Sequence, residues 1–141
     1  MVNRLLVFVV LILFFNCKKE EIPFEDHYTW HKLKVTASAY NSVKNQTDSN
    51  PHITAFGDSL KPGLNYVAIS RDLYRKGLKH NTPIKIEGFD SIYYVKDRMH
   101  GKWKNKIDIY MGTDIKAAKN WGRKKVSIHY GILKPTDSIK N

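Results

Sequence analysis

Apolar residues recur at every second position in a series of short stretches separated by glycine, proline and small polar residues, the pattern of half-buried β-strands. KLKVTASAY, residues 32 to 40, sets Leu33, Val35, Ala37 and Ala39 against polar partners. Further strands are predicted at HITAF, NYVAIS, PIKIEGF, SIYYVKD, KIDIYM and KVSIHY, at the spacing of compact β folds. Two stretches break the alternation. SRDLYRKG, with Ser70 as a cap and Gly77 as a stop, predicts a single helical turn. TDIKAAKNWG predicts a longer helix in which Thr113 caps, Asp114 favours the positive end, Ile115, Ala118 and Trp121 share a face and Gly122 terminates. NSVKNQTDSNPH between the first two strands is a polar loop; its Asn45-Gln46-Thr47 fits a glycosylation sequon but reads as ordinary loop chemistry. The expected class is mainly β with one or two short helices.

The N-terminus follows a different pattern. Eleven unbroken apolar residues, Leu5 to Phe15, follow a basic start at Arg4, the length of an export-signal core and well short of the ~20 residues that span a bilayer. The single cysteine, Cys17, comes one residue after Asn16 at the end of this run, an arrangement that resembles a bacterial lipoprotein signal with Cys17 as the lipidated residue. Lys18, Lys19, Glu20 and Glu21 resemble the signal that sends some Gram-negative lipoproteins to the cell surface. The expected organisation is a signal peptide over 1–16, lipidated Cys17 and a tether over 17–31, one domain over 32–131 and a polar tail over 132–141. The expected location is the cell envelope, lipid-anchored at the outer membrane.

A chain of 141 residues holds one ordinary domain, here expected to act as a monomer. Its 24 Lys and Arg against 13 Asp and Glu make the surface cationic and attractive to polyanions. Export removes cytosolic nucleic acid from the candidates, leaving an acidic cell-wall polymer or anionic lipid. One cysteine excludes an intramolecular disulfide and a multi-cysteine zinc site. The scattered His27, His31, His52, His80 and His129 show no ligand spacing, so neither metal nor cofactor is expected.

Within KIDIYM, alternation sends Ile107 and Ile109 to one face and Lys106, Asp108 and Tyr110 to the other. Asp97 ends the preceding strand, and RMHGKWKNK is long enough to bring the two segments side by side, so that both acids edge one cleft. From Lys96 to Lys125 there are ten Lys or Arg and three Asp. Exposed Asp-Lys and Asp-Arg pairs are the plainer reading of that charge, worth only ~0–1 kcal/mol each. Trp103 and Tyr110 could stack on sugar faces. His100 is a further acid-base candidate by its ordinary pKa.

VTASAY, ITAFGDSLKPGLNYVAIS and KDRMHGKWKNKIDIYMGTDIKAAKNWGRKKVSI together resemble the three blocks of the 3D (Asp-Asp-Asp) domain. That domain is related to the C-terminal part of membrane-bound lytic transglycosylase A, to rare lipoprotein A and to the expansins. The resemblance implies a six-stranded double-psi β-barrel whose groove acts on peptidoglycan glycan. It makes Asp108 the general acid, with Asp97 beginning the same block and tuning it by repulsion while Lys104 and Lys106 oppose. Two positions depart from the pattern: Ser70 replaces the third aspartate, and Arg98, Met99 and His100 replace a small Gly-Gly segment. Asp97-Arg98 is similar to rare lipoprotein A, and Ala68-Ile69-Ser70 to expansin-like members that loosen walls without hydrolysis. Arg98 and Ser70 thus join Trp103 and Tyr110 as candidate substrate-binding residues. The alternative to a lytic enzyme is a non-catalytic module binding peptidoglycan or another wall polysaccharide.

Overall fold

The computed structural model describes residues 22–43 and 52–135. The export signal, Cys17 and the first residues of the tether to Glu21, the sequon and the last tail residues lie outside the described residues. Among the described residues there are six strands: β1 (Tyr28–Tyr40), β2 (Tyr66–Ile69), β3 (Pro83–Ile86), β4 (Ile92–Arg98), β5 (Lys106–Tyr110) and β6 (Lys124–Leu133). Two helices accompany them in the described residues, α1 (Arg71–Arg75) and α2 (Ile115–Trp121), after a 3-10 turn at Phe24–His27.

The strands hydrogen-bond in the order β1-β5-β2-β4-β3-β6 and back to β1, so this ring has no free edge. Two contacts are parallel, β1 with β5 and β2 with β4; the other four are antiparallel. One alternate pair from each strand fills the interior: Val35 and Ala37, Val67 and Ile69, Ile84 and Ile86, Tyr93 and Val95, Ile107 and Ile109, Val126 and Ile128. Leu73 of α1 and Leu78 beyond it are equally buried. Burying a side chain of this size contributes about 1.5–3 kcal/mol, so the twofold period is the main source of the fold.

Three expectations change. β1 starts at Tyr28, not near Lys32, because residues irregular in their own pattern find partners in β6, from Tyr28↔Leu133 onward. Tyr28 also lies across Gly131, where an added Cβ would sit 3.0 Å from its ring, a close approach that only glycine allows. HITAF is not a strand. It closes on itself as a turn, with one bridge between Ile53 and Ser59 and with Gly57 N–H donating to Thr54 O at 2.9 Å. Finally, the cap of α2 is Asp114 and not Thr113: its Oδ1 accepts Ala117 N–H at 2.8 Å, and Gly122 ends the helix at φ +67°. Asp114→Ala should therefore cost ~1 kcal/mol, readable as a lowered thermal midpoint that Asp114→Ser largely restores.

β4 and β5 do not pair with each other. β2 lies between them, and the connection RMHGKWKNK passes its end, where Met99 N–H donates to Ile69 O at 2.8 Å. Asn105 closes the connection: its N–H donates to Asp72 Oδ2 at 2.9 Å and its Nδ2 to Lys34 O at 3.0 Å.

Candidate functional site

The outer face of the β1–β5 pair carries three cross-strand rungs: Thr36↔Lys106, Ser38↔Asp108 and Tyr40↔Tyr110. Lys106 and Tyr110 are 5% and 3% exposed although they point away from the barrel interior, whereas Asp108 between them is only half-buried. The face is therefore covered at both ends and opens at the acid. Ser38 Oγ donates to Asp108 Oδ1 at 2.9 Å.

Across β2, Ala68 pairs with Asp108 on one side and with Asp97 on the other. The second pairing depends on a bulge in the β2–β4 ladder: Val67 pairs with Val95, but the next residue, Ala68, pairs with Asp97, skipping Lys96. The extra residue re-aims the strand. A single row, Ser38, Asp108, Ala68 and Asp97, thus crosses four strands, with the two acids about 10 Å apart at their Cα atoms given ordinary strand spacing. Both acids edge one face as expected, but a third strand separates them.

Each carboxyl is held differently. Asp97 Oδ1 accepts two backbone N–H groups, from Ala55 and Arg98, both at 2.7 Å, so the turn at 52–60 is tied to it. Burial pushes the Asp97 carboxyl above the usual aspartate range despite those donors and the Arg98 charge. Burial likewise raises Asp108, against the Ser38 hydrogen bond and the charges of Lys106 and Arg123; repulsion from Asp97 adds the least. This corrects the expected cause, since desolvation rather than the second acid dominates, and Arg123 rather than Lys104 joins Lys106 in opposing it.

Tyr40 stands close to both acids. Burial, then Asp97, Asp108 and Tyr110, push its phenol far above the ordinary tyrosine value, so it keeps its proton. Its Oη is enclosed and has no hydrogen-bond partner among the described residues.

The remaining candidates are placed as follows. Tyr110 packs on Tyr40 with ring centroids 5.4 Å apart, and its hydroxyl shares a 2.7 Å hydrogen bond with Ser42; it walls the face and offers little free ring. Ser70 is fully buried, and its Oγ accepts Lys106 N–H at 3.0 Å, so it holds the start of β5 and does not reach the surface. Arg98 is exposed, with its guanidinium carbon 5.7 Å from the Phe56 ring centre. Trp103 lies beside Lys106, its ring taken up by cations rather than left open for stacking. His100 is exposed in the connection, where Nδ1 accepts Lys102 N–H at 3.3 Å. Ser38, Tyr40 and Arg123 were not singled out from the sequence. The alternation in VTASAY puts Ser38 and Tyr40 opposite Ala37 and Ala39, but only the β1–β5 pairing brings them to Asp108.

No protein-family model matches the chain, and no curated protein sequence does. Solved structures do. The structural neighbours include expansin. An apo expansin of Clavibacter michiganensis aligns at 19% identity and a TM-score of 0.45, covering 75% of this chain. An aspartate-to-asparagine mutant of the same expansin, in complex with cellohexaose, aligns at 18% identity and the same TM-score. The chain spans about half the length of these expansins, 52% in each case.

Proposed function

We propose that the outer face around Asp108 is a polysaccharide-binding groove, carried on a double-psi barrel of the 3D-domain kind and held at the cell envelope through Cys17. The observation that carries this is the row Ser38, Asp108, Ala68 and Asp97. Two partly desolvated carboxyls flank a methyl group, and the face reaches solvent at Asp108. Sugar hydroxyls both donate and accept, and a carboxyl with a raised pKa can do either according to its protonation. Ala68 leaves room for a ring between them. Desolvation strengthens each such hydrogen bond relative to one in open water.

A pelleting experiment tests this reading. The purified protein, incubated with isolated peptidoglycan sacculi and separately with insoluble cellulose, is expected to sediment with at least one of them. Failure to sediment with either, at low salt and with a folded protein, would overturn the groove.

A second reading rests on one observation: burial raises Asp108 against three opposing influences. A carboxyl that keeps its proton could deliver it to a glycosidic oxygen while a hydroxyl of the same sugar attacks the anomeric carbon. Mass spectrometry of the supernatant separates the two. Binding alone releases nothing, whereas acid catalysis of this kind releases anhydro-sugar ends.

A further inference from the structure

The cations beside the groove enter no ion pair among the described residues. Lys106 Nζ sits 3.9 Å from the Trp103 ring centre, Lys102 Nζ 5.3 Å and the Arg123 guanidinium carbon 5.5 Å. One indole therefore gathers three positive charges. An aromatic face attracts cations through its quadrupole but carries no net charge, so the cluster stays cationic. Ion pairs among the described residues join Asp58 with His80 and Lys96, and Glu25 with Lys85, leaving all three of these cations out. Lys106 is the telling member. At 5% exposure it is buried along its stem, yet its ammonium makes no hydrogen bond and no ion pair among the described residues. Burial draws its pKa below the ordinary lysine value; Asp108 opposes this, while Arg123 and Lys102 add to it. The acids on adjoining elements make no ion pair with these cations among the described residues; one oxygen of each accepts from another donor, Asp108 Oδ1 from Ser38 and Asp72 Oδ2 from Asn105 N–H.

We propose that Lys106, Arg123 and Lys102, gathered by Trp103, form an anion subsite that receives a carboxylate carried by the bound glycan. This deepens the groove reading and rests on it. Lys106 and Asp108 are two residues apart on one strand face, so a chain lying along the row that meets Asp108 through hydroxyls would present a neighbouring substituent to the cations. A carboxylate there gains charge-assisted hydrogen bonds from three cations, of which Lys106 is already partly desolvated. A neutral sugar gains nothing from them.

Titration calorimetry on the full chain in detergent, with a hexamer of galacturonate and with cellohexaose, tests the subsite. At low salt the carboxylated hexamer is expected to bind at least about tenfold more tightly, a preference that shrinks as salt is added. Lys106→Met, which keeps the apolar stem, and Arg123→Gln on the exposed side should each reduce that preference, the ratio of the two affinities, several-fold. Lys116→Gln on α2 removes an equal charge elsewhere and should leave it intact. Equal wild-type affinity for the two hexamers would overturn the subsite while leaving the groove standing. So would a preference that survives both variants, or one that Lys116→Gln reduces equally. If Lys106→Met does not fold, Arg123→Gln decides. Binding of neither hexamer would overturn the subsite, and the groove with it if the protein also sediments with neither sacculi nor cellulose.

Discussion

Asp108→Asn should make the folded protein more stable at neutral pH and, at the same time, weaken its glycan binding by about tenfold or more. The first effect follows from linkage. Burial raises the Asp108 carboxyl in the folded state, so the native protein holds that proton more tightly than the unfolded chain does. Ionisation then penalises the native state. The penalty is absent below the ordinary aspartate pKa of about 3.9, grows as pH rises through the raised native value, and is constant above it. Asparagine cannot ionise, yet its carbonyl oxygen can still accept the Ser38 hydroxyl, so the variant avoids the penalty and keeps the hydrogen bond. Calorimetric midpoints for both proteins across pH should coincide near pH ~3 and diverge upward for the variant. A gap of about 4 °C or more corresponds to roughly 1 kcal/mol in a domain of this size. A variant less stable than wild type at neutral pH would refute the assignment of desolvation as the dominant influence. The opposite movement of stability and binding is the usual mark of a group retained for function.

The largest loss of stability should come from Ile69→Ala. Ile69 is fully buried at the end of β2, paired with Ile107 of β5 and adjoining β4 at Arg98. Truncation removes three carbons from the interior beneath the two acids, and the closed ring limits collapse around the gap, so the cost should be about 2–5 kcal/mol. Denaturant midpoints measure it. Ile115→Ala on the outer surface of α2, 38% exposed, serves as the comparator and should change stability by less than about 0.5 kcal/mol. Comparable losses at the two sites would mean that the barrel interior is not the source of stability.

Strand parity was legible because it is local. The alternation of Ile107 and Ile109 with Lys106, Asp108 and Tyr110 needs no partner strand to be read, and the structure places those residues on the faces expected. The short polar connections and Gly122 were readable for the same reason. What the chain conceals is pairing. Nothing in DRMHGKWKNKID announces that β2 slides between β4 and β5, so the two acids looked adjacent when they are second neighbours. Ser38 lies 70 positions before Asp108 in the chain, and no spacing rule links them. HITAF shows the converse failure, since its composition suits a strand while its backbone hydrogen bonds close within the turn. The sequence offers Trp103 as a stacking ring, but the ring's use depends on three cations that arrive from the connection, from β5 and from the segment after α2.

The skipped residue in β4 has a consequence for the sign of the groove. Had the ladder continued without interruption from Val67 and Val95, the same letters would have set Lys96 beside Ala68, with Asp97 moved on to the place Arg98 now takes at the barrel mouth. Asp108 would then face an ammonium across the methyl group, a self-neutralising pair with little reason to hold a proton or seek a sugar. As built, Lys96 turns instead to Asp58, 3.0 Å away, and the floor keeps two carboxyls. Whether this floor is acidic or self-neutralised is thus decided by how many residues fit between two hydrogen bonds.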